Sequence, residues 1–214
     1  MSPGPTAPLW VRTLTRPVIR RWLQLDVSGT HHVSRSGPVI LAPVHRSYAD
    51  IPAVAAALDR PLTFLGSAHL SEIPVAGWIL PRLGLITVRR GEGDQAALDR
   101  CLAILGGGGA LVVFPEGGRA RDGLIHPPRS GVGRLAAIAG CPVVPVGIIG
   151  SDAAWPPDGR PALRGLHVAV RFGEPLEPPS HDVGSRRSFG IALQDALVTL
   201  SGARPSPSLL SVYA

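Results

Sequence analysis

From residue 38 onward, the chain alternates short apolar runs with segments of helical pattern. Each apolar run has the length of a strand, and the spaced apolar residues between runs are typical of helices. The predicted strands are PVILAP, LTFLG, LITV, ALVVF, VVPVGI and LHVAVRF. The predicted helices lie near 51–59, 75–83, 94–105, 131–139 and 187–201. This alternation predicts an α/β fold in which helices flank a mainly parallel or mixed sheet.

Glycine and proline indicate where these elements end. Gly106 and Gly140 follow helical segments, where glycine commonly forms the C-terminal cap. The Pro- and Gly-rich stretch 151–165 predicts a loop. No composition shift divides the rest, so we predict one domain over residues 30–202 and a loose tail over 203–214.

The N-terminal segment, residues 1–29, has a different pattern from the rest of the chain. On a helical wheel its apolar face consists of Val11, Leu14, Val18, Trp22 and Leu25, and its basic face of Arg12, Arg16 and Arg20. Trp and Leu opposite Arg are typical of a helix that lies in a membrane interface. The alternative is an ordinary amphipathic helix packed on the core, and Pro17 predicts a kink in either case.

The charge of the chain favours an anionic partner. All 21 basic residues are arginine, and with 15 acidic residues the formal net charge is +6. A phospholipid surface, a phosphorylated substrate and nucleic acid would each fit this charge. Only the charge supports nucleic acid, because the chain has 5% aromatic residues and no nucleic-acid-binding motif. We therefore expect an anionic membrane surface and no nucleic acid.

The expected location is cytoplasmic and peripheral to the membrane. The longest uncharged run, LAAIAGCPVVPVGIIG, is too short and too rich in proline for a spanning helix. No signal peptide is visible, and Cys101 and Cys141 form no C-x-x-C pair. We expect neither a disulfide nor a metal framework.

A histidine and an aspartate follow the first predicted strand, in the sequence PVHRSYAD. Pro52 belongs in the first turn of a helix, so the helix should begin near Asp50 and leave His45 on the loop before it. A carboxylate bonded to one imidazole nitrogen leaves the other nitrogen free to accept a proton. The alternative is that Asp50 only caps the helix, which is a common role for aspartate, and that His45 is incidental.

Two more strand ends carry arginine. The sequence LVVFPEGGRARDG places Glu116, Gly117 and Arg119 after one strand, and LGLITVRRG places Arg89 and Arg90 after another. Glycine lets the backbone approach a ligand closely, and an arginine fork can bind phosphate through two hydrogen bonds. Each stretch alone could equally be a charged turn.

Together these stretches resemble the glycerophospholipid acyltransferase family, the lysophosphatidic acid acyltransferases. The family's H-x4-D block matches His45 and Asp50, and its G-x-I-x-V-x-R block matches GLITVRR with Arg90 as the family arginine. Its F-P-E-G-x-R block matches FPEGGR, which ends at Arg119, and its V-P-V block matches residues 144–146. All four blocks occur in family order over roughly residues 30–175, and the resemblance implies that the domain predicted over residues 30–202 is an acyltransferase domain.

The resemblance implies roles for these residues. His45 would be the general base and Asp50 would orient it; Arg90 and Arg119 would bind the acceptor's phosphate, and Glu116 would orient the glycerol hydroxyl. Gly117 would belong to the acceptor-binding residues with them. The matched blocks also contain possible supporting residues, namely Ser47, Arg89, Phe114, Pro115, Gly118, Val144 and Pro145. The implied reaction moves an acyl group from acyl-CoA or acyl carrier protein to a lysophospholipid, with no cofactor and no metal.

The chain departs from the family pattern at three positions. Val44 replaces the usual Asn before the histidine, Gly118 replaces Thr or Ser, and a basic pair is reduced to Arg129 with Ser130 beside it. Other acceptors therefore stay open, as does a catalytically decayed paralogue that binds membrane or acyl carrier protein. The stretch HHVSRSG lacks the aspartate of a second acyltransferase motif, and no H-E-x-x-H or G-x-S-x-G is present.

Overall fold

The computed structural model describes residues 7–67, 85–88, 95–156, 159–162 and 166–206. Within these residues the strands are β1 (Asp26–Ser28), β2 (Val39–Pro43), β3 (Leu62–Ser67), β4 (Leu85–Val88), β5 (Ala110–Val113), β6 (Val143–Ile149) and β7 (Ala169–Phe172). The helices are α1 (Leu9–Trp22), α2 (Asp50–Ala57), α3 (Gln95–Gly106), α4 (Ser130–Ala139), α5 (Ser151–Ala154) and α6 (Val183–Ser201), and a 3-10 turn covers Thr30–His32. The predicted helix near 75–83 lies outside the described residues.

The strands form one sheet in the order β1-β7-β6-β2-β5-β3-β4. Only the β6–β7 pair is antiparallel among the described pairings. Strands β2 and β5 are buried along their whole length, as expected for central strands covered on both faces. The predicted α/β fold with a mainly parallel, mixed sheet is confirmed. Because β2 and β5 are parallel neighbours, the loops that follow them meet at one edge of the sheet.

Some element boundaries differ from the prediction. Asp26–Ser28 pairs with β7, so the sheet begins before the predicted domain boundary at residue 29. This strand has only three residues and one apolar side chain, which is too little for a periodic signal. Part of the predicted loop 151–165 is the single helical turn Ser151–Ala154.

Two further predictions fail near the ends of elements. Gly106 is the last residue of α3, and the left-handed glycine beyond it is Gly108, whereas Gly140 caps α4 as predicted. Residues 203–206, assigned to a loose tail, are held in place because Pro205 forms a bridge with Ile125. The backbone hydrogen bonds from Ile125 to Arg204 and from Ser206 to Ile125 are both 2.9 Å.

Helix α1 presents its apolar side to solvent. Leu14 and Val18 are 64% and 67% exposed, and Trp10 is 67% exposed. The arginine side packs instead against α2: Arg16 donates to the carbonyl of Ala56 at 3.0 Å, and both Arg12 and Arg16 contact Asp59. The alternative prediction, that the apolar face packs on the core, is therefore wrong for Leu14 and Val18.

Helix α1 continues through Pro17 from Leu9 to Trp22. The C-terminal end of α1 does contact the core, since Ile19 and Trp22 are partly buried against it. No helix in the described part of the chain is long and apolar enough to cross a bilayer.

The contact between β6 and α6 depends on a glycine. A Cβ built on Gly147 would lie 2.6 Å from the Leu200 carbonyl carbon, so Gly147→Ala should lose about 1–3 kcal/mol of unfolding free energy. Urea unfolding measures this loss. Gly131→Ala is the control, because its Cβ would meet no atom within 4 Å and alanine favours the helix. An unchanged midpoint for Gly147→Ala would contradict the packing described.

Candidate active site

His45 lies on the loop that joins β2 to α2. The Val44 N–H donates to the carbonyl of Val146 at 3.0 Å, so pairing with β6 holds the chain up to the residue before His45. The His45 side chain is mostly buried, and its Nδ1 lies 3.0 Å from Oδ2 of Asp50. One face of the imidazole stacks on Phe114, with 3.9 Å between ring centroids and 25° between planes.

Asp50 is fully buried and organises the loop rather than capping the helix. Its Oδ2 accepts the backbone N–H groups of Arg46 and Ser47, both at 2.8 Å, in addition to the His45 contact. Ala49 is the N-cap of α2 and has no side-chain cap, so the capping alternative is wrong. An ionised carboxylate only accepts hydrogen bonds, so this contact would place the proton of a neutral imidazole on Nδ1 and leave the lone pair on Nε2.

The other side chains of this loop fasten it to neighbouring elements. Ser47 Oγ accepts the Ala49 N–H at 2.9 Å and donates to the carbonyl of Trp155 at 2.6 Å. Arg46 donates to the carbonyl of Ile148 at the end of β6, at 3.1 Å. The loop that carries His45 is thus bonded to the end of β6 and to Trp155.

The loop after β5 completes the site. The Ala120 N–H donates to the His45 carbonyl at 2.8 Å, which ties the two loops together. Gly117 has φ +73°, and a Cβ there would lie 2.5 Å from Arg129 Nε, so the turn requires glycine. Arg129 also donates from its backbone to Pro115 at 2.9 Å and from Nε to the Glu116 carbonyl at 3.2 Å.

Glu116 joins the two loops through its carboxylate. Oε1 lies 3.4 Å from the backbone N of His45 and Oε2 lies 3.2 Å from that of His126. The side chain is buried, with 8% of the residue exposed. Burial raises the pKa of Glu116 to about 7, although the hydrogen bonds from His126 and His45 act in the opposite direction.

An open cavity of about 390 Å³ lies beside this loop. Its lining residues are Glu116, Gly117, Gly118, Arg119, Ala120, Arg121, Asp122, His126 and Arg129. The Arg119 guanidinium lies over the ring of Tyr48, 3.9 Å from its centroid, and its Nη1 is buried with no hydrogen-bond partner in the described part of the chain. Arg119 therefore has donor capacity left for an anionic ligand.

The structure brings together most of the sequence-predicted site residues. Val144 and Pro145 lie in β6 opposite Leu41 and Ala42 of β2, where they support the strand that precedes His45. Arg89 and Arg90 lie outside the described residues. The described residues contain no cluster of three or more His, Cys, Asp or Glu side chains suited to a metal ion.

Sequence reasoning missed three side chains at the site. His126 Nε2 lies 3.0 and 3.1 Å from the two carboxylate oxygens of Asp122, and both residues line the cavity. The i, i+4 spacing of Asp122 and His126 was the available signal. Tyr48 contacts Arg119, but no local pattern links residues 71 positions apart.

The comparisons with known proteins agree with the family resemblance seen in the sequence. A family model described as acyltransferase matches residues 24–149. The chain is 27% identical over 173 residues to the chloroplastic 1-acyl-sn-glycerol-3-phosphate acyltransferase of Brassica napus, covering 79% of this chain and 49% of that protein. It is 37% identical over 148 residues to the lyso-ornithine lipid O-acyltransferase of Pseudomonas aeruginosa, covering 64% and 55%.

The fold is similar to that of a solved structure. The 1-acyl-sn-glycerophosphate acyltransferase of Thermotoga maritima superposes with a TM-score of 0.69 at 24% identity, over 92% of this chain and 83% of that one. The chain spans about half the length of the curated relatives that it matches.

The raised pKa of Glu116 predicts a specific dependence of stability on pH. The folded protein holds this proton up to about pH 7 and the unfolded chain only to about 4.5, so ionisation of Glu116 lowers stability as pH rises through that window. Glu116→Gln cannot ionise. The free energy of unfolding of the variant, minus that of the wild type, should therefore increase from pH 4.5 to 7 and then level off. Urea titrations at several pH values measure it; a flat difference would contradict the burial effect.

Proposed function

The chain belongs to the acyltransferase family, and we propose that it transfers a fatty acyl group from acyl-CoA or acyl carrier protein to a lysophospholipid. The proposed acceptor is 1-acylglycerol-3-phosphate, which would give phosphatidic acid. The observation that carries the proposal is the 3.0 Å contact between His45 Nδ1 and the buried Asp50 carboxylate, on a loop bonded to the loop of Arg119.

His45 would act as the general base. While the Nδ1–H group donates a hydrogen bond to Asp50, Nε2 accepts the proton of the acceptor hydroxyl. The hydroxyl oxygen attacks the thioester carbonyl at the same time. The imidazolium formed is stabilised by the Asp50 carboxylate, whose burial and backbone N–H donors hold it in place. Collapse of the tetrahedral intermediate breaks the carbon–sulfur bond, and the departing thiolate takes the proton from Nε2. The balance needs no covalent enzyme intermediate.

The cavity would bind the head group of the acceptor. Arg119 would bind the phosphate together with Arg90, and the lining residues Arg121 and Arg129 add positive charge at the cavity wall. Each oxygen of Glu116 accepts one backbone N–H and keeps acceptor capacity, so the carboxylate could still orient the glycerol hydroxyl. Because the acceptor and the product both carry acyl chains, the enzyme would meet them at a lipid surface.

A head group with both a carboxylate and an ammonium is a second candidate. The cavity wall contains Asp122 as well as Arg119 and Arg129, and such mixed charge suits an amino-acid head group. The relative that is 37% identical is named a lyso-ornithine lipid acyltransferase.

One assay separates these candidates. The full chain is incubated with acyl-CoA or acyl carrier protein and, separately, with 1-acylglycerol-3-phosphate, lysophosphatidylcholine or lyso-ornithine lipid, and the products are identified by mass spectrometry. Phosphatidic acid as the main product supports the first candidate, whereas preferred acylation of lyso-ornithine lipid supports the second. Transfer to no acceptor from either donor would reject the enzymatic function and favour a binding protein.

The catalytic role of His45 predicts a large kinetic effect. His45→Ala should lower kcat by roughly 10²–10⁴-fold, the usual contribution of a general base. Asp50→Asn should lower kcat less, because the amide oxygen can still accept a hydrogen bond from Nδ1–H. His181→Ala is the matched control, since His181 is exposed on the loop before α6. A folded His45→Ala variant with near-normal transfer would disprove the mechanism.

We also propose peripheral binding through α1 at the cytoplasmic face of the membrane. Because Arg12 and Arg16 contact Asp59, just after α2, the exposed apolar stripe of Trp10, Leu14 and Val18 would enter the lipid. Arg21, which is more exposed than Arg12 and Arg16, would attract an anionic leaflet. This electrostatic part of the binding would weaken at high salt concentration.

Replacing the stripe should detach the protein from vesicles. A fully buried apolar side chain contributes about 1.5–3 kcal/mol, so the triple change Trp10→Ser, Leu14→Ser and Val18→Ser should lower binding at least roughly tenfold. Sedimentation with vesicles of phosphatidylglycerol and phosphatidylcholine measures it. Val183→Ser is the control, because Val183 is also exposed (62%) but lies at the start of α6. Equal binding of the triple variant and the wild type would reject this role for α1.

A further inference from the structure

We infer that Tyr48 is a positioning residue that holds the Arg119 guanidinium at the orientation needed to bind the acceptor's phosphate. The inference rests on the proposed function and deepens it. Tyr48 lies inside the His45–Asp50 stretch, but it takes no part in the proton transfer described above.

The contact is geometrically close. The Arg119 guanidinium carbon lies 3.9 Å from the centroid of the Tyr48 ring, well within the range of a cation–π interaction. The π face of the ring occupies none of the N–H groups by conventional hydrogen bonding, so they stay available to a ligand.

Within the described residues, little else fixes this guanidinium. Its Nη1 is buried and has no hydrogen-bond partner, and Arg119 forms no ion pair in that part of the chain. A long side chain without such bonds would sample several rotamers, and binding phosphate would then cost the entropy of fixing one of them. Stacking on Tyr48 restricts the rotamers before the acceptor arrives.

The Tyr48 ring is itself supported. Its centroid lies 5.4 Å from that of Trp155, with 44° between the planes. The residues around Tyr48 are held as well, since Ser47 Oγ donates to the Trp155 carbonyl at 2.6 Å and the Ala49 N–H donates to Ser47 Oγ at 2.9 Å. The loop that fixes the base therefore also fixes the phosphate-binding arginine, and this sets the distance between the two.

The test is steady-state kinetics of Tyr48→Leu and Tyr48→Phe with 1-acylglycerol-3-phosphate. Leucine removes the π face, so Tyr48→Leu should raise the acceptor KM by about 3- to 10-fold, as expected for a partly exposed cation–π contact. The acyl-donor KM and kcat should change less than twofold. Phenylalanine keeps the π face, so the acceptor KM of Tyr48→Phe should equal that of the wild type. If Tyr48→Leu does not fold, Tyr48→Met replaces it.

A double-mutant cycle with Arg119→Ala separates positioning from general packing. In the Arg119→Ala background, Tyr48→Leu should have no further effect on the acceptor KM, because there is no guanidinium left to position. Independent, additive effects of the two changes would overturn the inference, as would an unchanged KM for Tyr48→Leu in the wild-type background.

A binding measurement separates this inference from the proposed reaction. Calorimetric titration with glycerol 3-phosphate reports head-group binding without turnover. Weaker binding by Tyr48→Leu but not by Tyr48→Phe would support the positioning role even if no acyl transfer were found. Equal binding by both variants and the wild type would reject the positioning role while leaving the acyltransferase proposal intact.

Discussion

The site depends on one buried carboxylate. Three donors converge on Oδ2 of Asp50: the backbone N–H groups of Arg46 and Ser47 and Nδ1 of His45. Burying a carboxylate is costly unless hydrogen bonds compensate it, and Oδ1 of Asp50 is buried with no partner among the described residues. The bonds to Oδ2 are therefore the compensation that the described residues supply, and moving the loop that donates them would remove it. The same bonds that make the burial of Asp50 possible therefore orient the imidazole.

The order of the sheet brings the second loop to this carboxylate. Strands β2 and β5 are parallel neighbours, and their loops are joined by the Ala120 hydrogen bond to His45 and by the Glu116 carboxylate. Phe114, the first residue after β5, supplies the surface on which the imidazole stacks. Residues about 70 positions apart thus form one unit because of strand pairing, and the loops of His45 and Arg119 are joined directly.

The sequence predicts the parts of this arrangement that depend on local pattern. Apolar runs identified six of the described strands, and the position of Pro52 in the first turn of α2 placed His45 on the loop before it. Side-chain contacts that depend on the pairing of strands distant in sequence could not be predicted. The partners of Glu116 and the stacking of Tyr48 on Arg119 follow from the neighbouring positions of two loops. The wheel of α1 placed Leu14, Val18 and Trp22 on one face, but Leu14 and Val18 are exposed whereas Trp22 contacts the core. Only the contacts of Arg12 and Arg16 with α2 and Asp59 show how the helix is oriented.

The central claim is that Asp50 holds a neutral His45 as the tautomer with its proton on Nδ1. Nitrogen NMR of protein labelled at histidine measures this directly, with His45→Ala used to assign the signal. We expect the neutral His45 side chain to show a protonated Nδ1 and an Nε2 shift typical of an unprotonated nitrogen. A neutral His45 protonated at Nε2 would contradict the account, because the nitrogen proposed to accept the hydroxyl proton would then have no lone pair.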